Sequence, residues 1–393
     1  MSSRPYVYLD YAASAPMSKA AIEAEAAYEA SEIAGANPNS LHTLGRKAAR
    51  ALDGARSDIA RCLGGHFRPS DVIFTSGGTE SNNLALYGMA EGARGRNRQR
   101  NVIVISEFEH DSEIDVIPAL HDRGFEVKLV RPNRDGVVTA EAVAKHCDEH
   151  TALVSVMAAN NEVGTVQPLA EIAKAAHKVG ALMHCDAVQA FGRIPLALDD
   201  VDAVSIAAHK IGGPVGIGAL VIRSRTPFRA QTFGGGQEQG KRPGTQPVRA
   251  ALAFAAAACD CIDHMAERRA LVSARAQRLY ERICAPGTHH IRPTTSAVMD
   301  EHRLPGLVSV LVEGVDSETL VLSLDQLGFE VSAGSACSSG SLDASHVLLS
   351  MGIPRDLALG ALRISFDERV SDDELYDFAA ALVSVVGRYH KSK

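Results

Sequence analysis

Lys210 follows the small-residue run SIAAH and precedes the glycine-rich turn IGGPVGIG. An amine in such a place loses part of its hydration, which disfavours the ammonium form and frees it for Schiff-base chemistry. Asp186 ends the apolar stretch ALMHC, where a carboxylate needs a hydrogen-bond donor or a cation. His110, just beyond NVIVISEFE, could stack on a ring or carry a proton near neutrality. In FTSGGTESNN, Gly77 and Gly78 lead into Thr79, so backbone N–H groups and the positive end of a helix could cradle an anion. Each residue has an ordinary alternative: a solvated loop lysine, a turn-capping aspartate, a surface histidine, a plain helix cap. Together they form the set that pyridoxal phosphate requires: an imine-forming lysine, a carboxylate for the pyridinium, a ring partner and a phosphate cradle. One further residue invites chemistry. Cys337 lies in GSACSSGS, among residues that pack little and rearrange easily. It is either an incidental loop thiol or a nucleophile that must travel, with thiolate character at the moment of attack.

The elements that position these residues follow from alternation. DVIFTSGG, NVIVISEF, EVKLVRP, TALVSVMAAN, ALMHCDA, AVSIAAHK and IGALVIRS are strand candidates bounded by Gly, Pro, Asn or Asp. TESNNLALYGMAEGA, DSEIDVIPALHDRG, TAEAVAKHCDEH and PLAEIAKAAHKVG have helical spacing between them. The pattern predicts an α/β fold, a mostly parallel sheet with helices on both faces, whose ligands sit at the carboxyl ends of strands. After Thr245 a long alanine-rich helical pattern bridges to a smaller α+β domain built from GLVSVLVEG, LGFEVSAG, LRISFD and a C-terminal helix.

Composition narrows the function classes. The 393 residues are 46% hydrophobic and 22% charged, ordinary globular usage, and the net charge of −7 argues against direct binding of nucleic acid. The N-terminal MSSRPYVYLDYAASAP lacks a secretory apolar core, and the longest apolar run, Ala250 to Cys259, is too short to span a membrane. Seven cysteines without a CxxC pair fit reduced thiols in a cytoplasm. Cys259 and Cys261 have no matching second pair for zinc, so no metal is expected. GGGQEQG lacks the spacing and the strand-to-helix context of a dinucleotide loop.

From YLDYAASAP and ANPNSLHTLG through SGGTES, EFEH, NNEVGTVQP, HCDAVQ, HKIGGPVGIGAL and GGGQEQGKRPGT to SAGSACSS and LRISF, the chain resembles the NifS-like cysteine desulfurases. These belong to the class V aminotransferase group of fold-type I pyridoxal-phosphate enzymes. The resemblance implies a large cofactor domain over 12–257 and a small domain formed by 1–11 and 258–393 that carries the cysteine loop. It assigns the Schiff base to Lys210, the pyridine nitrogen to Asp186, the ring hydroxyl to Gln189 and ring stacking with proton transfer to His110. Gly78, Thr79 and His209 would bind the phosphate, and Thr245 would reach the phosphate of a neighbouring subunit, implying a homodimer with composite sites. Asn37, Asn161 and Arg363 would bind L-cysteine, Arg363 clamping its carboxylate. Cys337 would take the sulfur as a persulfide, release L-alanine and pass the sulfur to an acceptor protein, for iron–sulfur clusters or for thiolation of a cofactor or tRNA.

Two departures from the family pattern stand out. Ala207 occupies the position three before the lysine, where a hydroxyl usually contacts the phosphate, so weaker cofactor retention is expected. The chain ends at RYHKSK without the tail that relatives extend toward a scaffold partner, which leaves the acceptor open. The rival readings are a selenocysteine lyase or another class V aminotransferase, and a non-catalytic sulfur-relay subunit.

Overall fold

The computed structural model describes residues 6–288, 290–334 and 343–391. All seven strand candidates form one sheet, in the spatial order Val72–Thr75, Gly218–Ile222, Ala203–Ala207, Leu182–Asp186, Thr151–Ser155, Val102–Ser106, Glu126–Val130. Only Gly218–Ile222 runs antiparallel to its neighbours. The central strands are continuous β-branched runs because both faces are covered; Val102–Ser106, Thr151–Ser155 and Ala203–Ala207 are buried throughout. Helix Thr43–Leu63 shows the corresponding helical logic. Its buried residues Ala48, Leu52, Ala55, Ile59, Cys62 and Leu63 recur at three- and four-residue spacing, and Gly64 ends it at φ +70°, a conformation that suits glycine.

Three expected helices are shorter than their patterns suggest. DSEIDVIPALHDRG splits into Asp111–Ile114 and Ile117–Asp122, because Pro118 supplies no N–H and crowds the preceding turn. TAEAVAKHCDEH keeps one turn, Ala140–Ala144, after which the His146 ring bonds the Ala142 carbonyl at 2.9 Å. The alanine-rich bridge divides at His264 into Val248–Asp263 and Met265–Ile283, and the His264 ring likewise takes the Asp260 carbonyl at 2.9 Å.

A second, antiparallel sheet of four strands is ordered Ser332–Ala333, Ala361–Ser365, Leu307–Val312, Ile291–Pro293. It shares a separate apolar core with helices Met265–Ile283, Ser317–Asp325 and Asp372–Lys391. The start of the chain joins this second core, since Val7–Tyr8 pairs in parallel with Phe329–Glu330. Residues 10–15 then cross to the large sheet. Ala12 N–H donates to Ser365 Oγ at 2.9 Å and Ala15 N–H to the His209 carbonyl at 2.9 Å. This strap ties the two cores together at the ends of the strands that carry the polar residues.

Candidate active site

Four parallel strands and the helix start after Val72–Thr75 direct their next residues into one cavity of about 560 Å³. Its wall includes Gly78, Thr79, His110, Asn161, Asp186, Gln189, His209, Lys210 and Arg363. Residues far apart in sequence thus meet where the alternation of elements placed them. Asn37 and Thr245 are exposed and do not line this cavity within one chain. Cys337 lies outside the described residues. Gly334 and Asp343 flank the segment that contains it, and Asp343, Ser345 and His346 line the cavity.

At the end of its strand Asp186 is nearly buried, and both its oxygens are used. Asn82 Nδ2 donates to Oδ2 at 2.7 Å and Val188 N–H to Oδ1 at 2.8 Å, which fixes the carboxylate plane. The Lys210 amine donates to the carbonyls of Ala12 at 2.7 Å and Ala13 at 2.9 Å, and its own carbonyl accepts from Arg193 Nη2 at 3.0 Å. Gln189 Nε2 also donates to the Ala12 carbonyl, at 2.7 Å. His110 caps the short helix that follows it: Ser112 N–H donates to Nδ1 at 3.0 Å, which leaves the proton of the neutral ring on Nε2. Burial and the nearby Lys210 push His209 down to about 4, so its ring is neutral at pH 7.

The anion cradle is tightly built. A Cβ on Gly78 would meet Val188 Cγ2 at 2.8 Å, and one on Gly218 would meet the Gly77 carbonyl carbon at 2.8 Å. Only glycine lets the helix start Gly78–Arg96 lie this close to the neighbouring strands. Glu80 accepts from Arg242 Nε at 2.9 Å, anchoring the loop that carries Thr245 to this helix start.

Several functional neighbours were not singled out in the sequence. Alternation along Leu182–Asp186 puts His184 on the same face as Asp186, and the sheet register sets Ser155 and Ser205 beside them. His184 Nδ1 lies 2.8 Å from Ser155 Oγ and Nε2 lies 2.9 Å from Ser205 Oγ, while Ser155 Oγ donates to Glu113 Oε2 at 2.6 Å. Burial alone drives His184 down to about 3. Burial and then Asp186 raise Glu113 to about 8, and burial followed by Glu113 raises Glu109 well above the usual carboxyl range. Asp186 therefore neighbours two carboxyls that burial pushes above the usual carboxyl range. Glu109 and Glu113, two of the four acids in EFEHDSE, were the available signal, but only the register shows where they converge. Cys185, on the opposite face, is fully buried with its thiol pushed well up, which makes it an inert packing residue.

The raised Glu113 has a measurable consequence. Between about pH 4.5 and 8 the folded chain keeps a proton here that the unfolded chain releases, so this group's stabilisation is lost as pH rises through that window. Glu113→Gln does not titrate. Its urea midpoint relative to the parent is expected to improve from pH 5 to pH 8; an unchanged difference would contradict a protonated Glu113.

The residues present fit pyridoxal phosphate on structural grounds. Among the described residues, Asn82 Oδ1, Gln189 Oε1 and Glu109 Oε2 are buried without a hydrogen-bond partner, and all three residues line the cavity. Beside them stand a carboxylate for a ring nitrogen, an amine and a glycine-walled helix start.

Comparison with known proteins agrees with this geometry. The family model for aminotransferase class-V matches residues 7–378. An IscS-like cysteine desulfurase of Mycobacterium tuberculosis is 41% identical over 363 residues, covering 91% of this chain and 90% of the relative. The cysteine desulfurase IscS of Dictyoglomus turgidum is 35% identical over 378 residues, covering 94% and 91%. The solved structure of a NifS-like protein superposes with a TM-score of 0.88 at 33% identity, over 98% of this chain and all of that one. A NifS-like protein from Rickettsia africae gives 0.83 at 29% identity, over 97% and 99%. With its cavity, its fold and these relatives in agreement, the chain belongs to the class-V aminotransferase family, within its NifS- and IscS-like cysteine desulfurases.

Proposed function

We propose that the protein takes sulfur from L-cysteine, releasing L-alanine and leaving a persulfide on Cys337. The observation that carries this reading is the meeting of the Lys210 amine, the Asp186 carboxylate and the Arg363 guanidinium around one cavity. Pyridoxal phosphate, when bound, withdraws electrons from the substrate Cα. Asp186 would hold its ring nitrogen, Gln189 Oε1 its ring hydroxyl, and Gly78, Thr79 and His209 its phosphate. His110 would be its ring partner. Lys210 holds the cofactor and, once its amine is free, takes the Cα proton on Nζ. Cys337 thiolate then accepts the substrate sulfur: the carbon–sulfur bond breaks, a sulfur–sulfur bond forms, Cβ takes a proton, and Lys210 Nζ returns a proton to Cα to give alanine. Borohydride treatment of the loaded protein is the test. A pyridoxyl group found on the Lys210 peptide supports the assignment, and one found on another lysine contradicts it.

Arg363 is the proposed carboxylate clamp, with Asn161 beside it. Nη2 donates to Asp10 at 2.9 Å and Nη1 to the Asn161 carbonyl at 3.2 Å, while the buried Nε has no partner among the described residues. Asp10 thereby sets the guanidinium plane. Arg363→Lys keeps the charge but loses the planar fork, so KM for L-cysteine is expected to rise about 10- to 100-fold with a much smaller change in kcat. Steady-state kinetics distinguish this from a general loss of activity.

Ala207 lines the cavity and is 3.7 Å from the position a Cβ on Gly78 would take, so no hydroxyl reaches the cradle from here. Ala207→Ser adds one donor to a phosphate. Cofactor loss on dialysis is expected to slow by about tenfold or more.

We also take 12–257 as the cofactor domain, with 1–11 and 258–393 as the small domain; a separate core drawn from residues 9–15 and 272–386 supports a small domain built from both ends of the chain, while Leu304, Leu307, Val347 and Leu348 pack into the large core. A homodimer is proposed from the loops that lie off the cavity. Asn39 Nδ2 donates to Gln246 Oε1 at 2.8 Å, joining the Asn37 and Thr245 loops, and Leu41 and Phe233 nearby in sequence are each 88% exposed. A second copy would cover these side chains and bring Thr245 and Asn37 to its site. Among the described residues no helix is long and apolar enough to cross a membrane. The proposed setting is cytoplasmic, with an acceptor protein that carries the sulfur toward iron–sulfur clusters or thiolated products.

A further inference from the structure

Away from the cavity, helix Thr43–Leu63 packs along helix Val248–Asp263. Cys62, in the last turn of the first, and Cys259, in the second, are 197 residues apart in sequence and 3.7 Å apart at their sulfurs. A disulfide bond is about 2.05 Å long, so closing it asks less than about 2 Å of movement from two side chains already in contact. Access is asymmetric. Cys62 is 7% exposed, whereas Cys259 is partly exposed and lies 3.0 Å from Nη2 of the solvent-facing Arg61. Burial pushes the Cys62 thiol up to about 12. Cys261, two residues on, is turned elsewhere, with Sγ 3.5 Å from the Ile211 carbonyl.

We propose that Cys62 and Cys259 are a redox modification site that forms a reversible disulfide with hydrogen peroxide. Cys259 gives up its proton as its sulfur attacks one peroxide oxygen; the O–O bond breaks, the sulfur is oxidised to a sulfenic acid, and the other oxygen takes up a proton and leaves as water. Cys62 then gives up its proton and attacks that sulfur. The S–S bond forms, the S–O bond breaks, and the second oxygen leaves as water. The two thiols lose two electrons and peroxide gains them; a dithiol reductant reverses the change. The covalent loop from 62 to 259 encloses every strand of the large sheet, Lys210 included. Closing so long a loop restricts the unfolded chain and is expected to raise Tm by about 3–5 °C. Neither sulfur lines the active-site cavity, so the lock acts on stability rather than on the chemistry.

The test uses the full-length, cofactor-loaded protein treated with hydrogen peroxide, alkylated and digested without reductant. Mass spectrometry is expected to find the Cys62 peptide joined to the Cys259 peptide, two hydrogens lighter than their sum. Dithiothreitol should abolish both this species and the Tm rise, and Cys259→Ser, at the more exposed position, should lack both. Free, alkylated Cys62 and Cys259 after peroxide would overturn the proposal. So would Cys259 oxidised to the sulfinic acid beside an unmodified Cys62.

Discussion

Lys210→Ala is expected to lower alanine formation from L-cysteine by at least about 10³-fold, because one side chain performs two tasks. In the proposed mechanism it anchors the cofactor, and its freed amine is the base at the substrate Cα. The amine is aimed by the Ala12 and Ala13 carbonyls, and the strap that bears them is itself fixed by Ser365 and Gln189. Removing the side chain leaves that strap in place, so the fold should survive. Circular dichroism should match the parent, borohydride should fix no pyridoxyl group at position 210, and turnover should vanish. Turnover within tenfold of the parent would place the base on another residue.

Asp186→Asn should cost about 10²- to 10³-fold in kcat with a smaller effect on KM. The replacement is nearly isosteric but neutral. Asp186 accepts from both Asn82 and Val188, and an amide has one oxygen to offer where the carboxylate has two. In the proposed mechanism the larger loss is the negative charge that Asp186 would set against the ring nitrogen. Glu109 and Glu113 both lie close enough to feel Asp186, and burial pushes both above the usual carboxyl range. Stopped-flow kinetics should show the chemical step slowed while cysteine still binds through Arg363. An unchanged chemical step would remove Asp186 from the electronic role.

The sheet was legible because its central strands are buried on both faces and so read as unbroken apolar runs. A polar residue at the end of such a run, as with Asp186 or Lys210, is conspicuous. The polar layer beneath the cavity was not legible, since Glu113, Ser155, His184 and Ser205 meet only through register across three strands and a helix. The Asp10–Arg363 pair spans 353 residues and depends on how the two cores dock, which no local spacing encodes. Proline and histidine side chains shortened helices whose apolar periodicity pointed to longer ones. Asn37 and Thr245 lie off the cavity of a single chain, and no local spacing encodes what they would reach.

The most direct test of the central claim is the release of alanine and sulfide from L-cysteine with a thiol reductant, by the cofactor-loaded protein and by Cys337→Ser. Equimolar alanine and sulfide from the first, and neither from the second, is the predicted result. Alanine and sulfide released at the parental rate by Cys337→Ser would contradict a persulfide on Cys337 and assign the sulfur to a different acceptor.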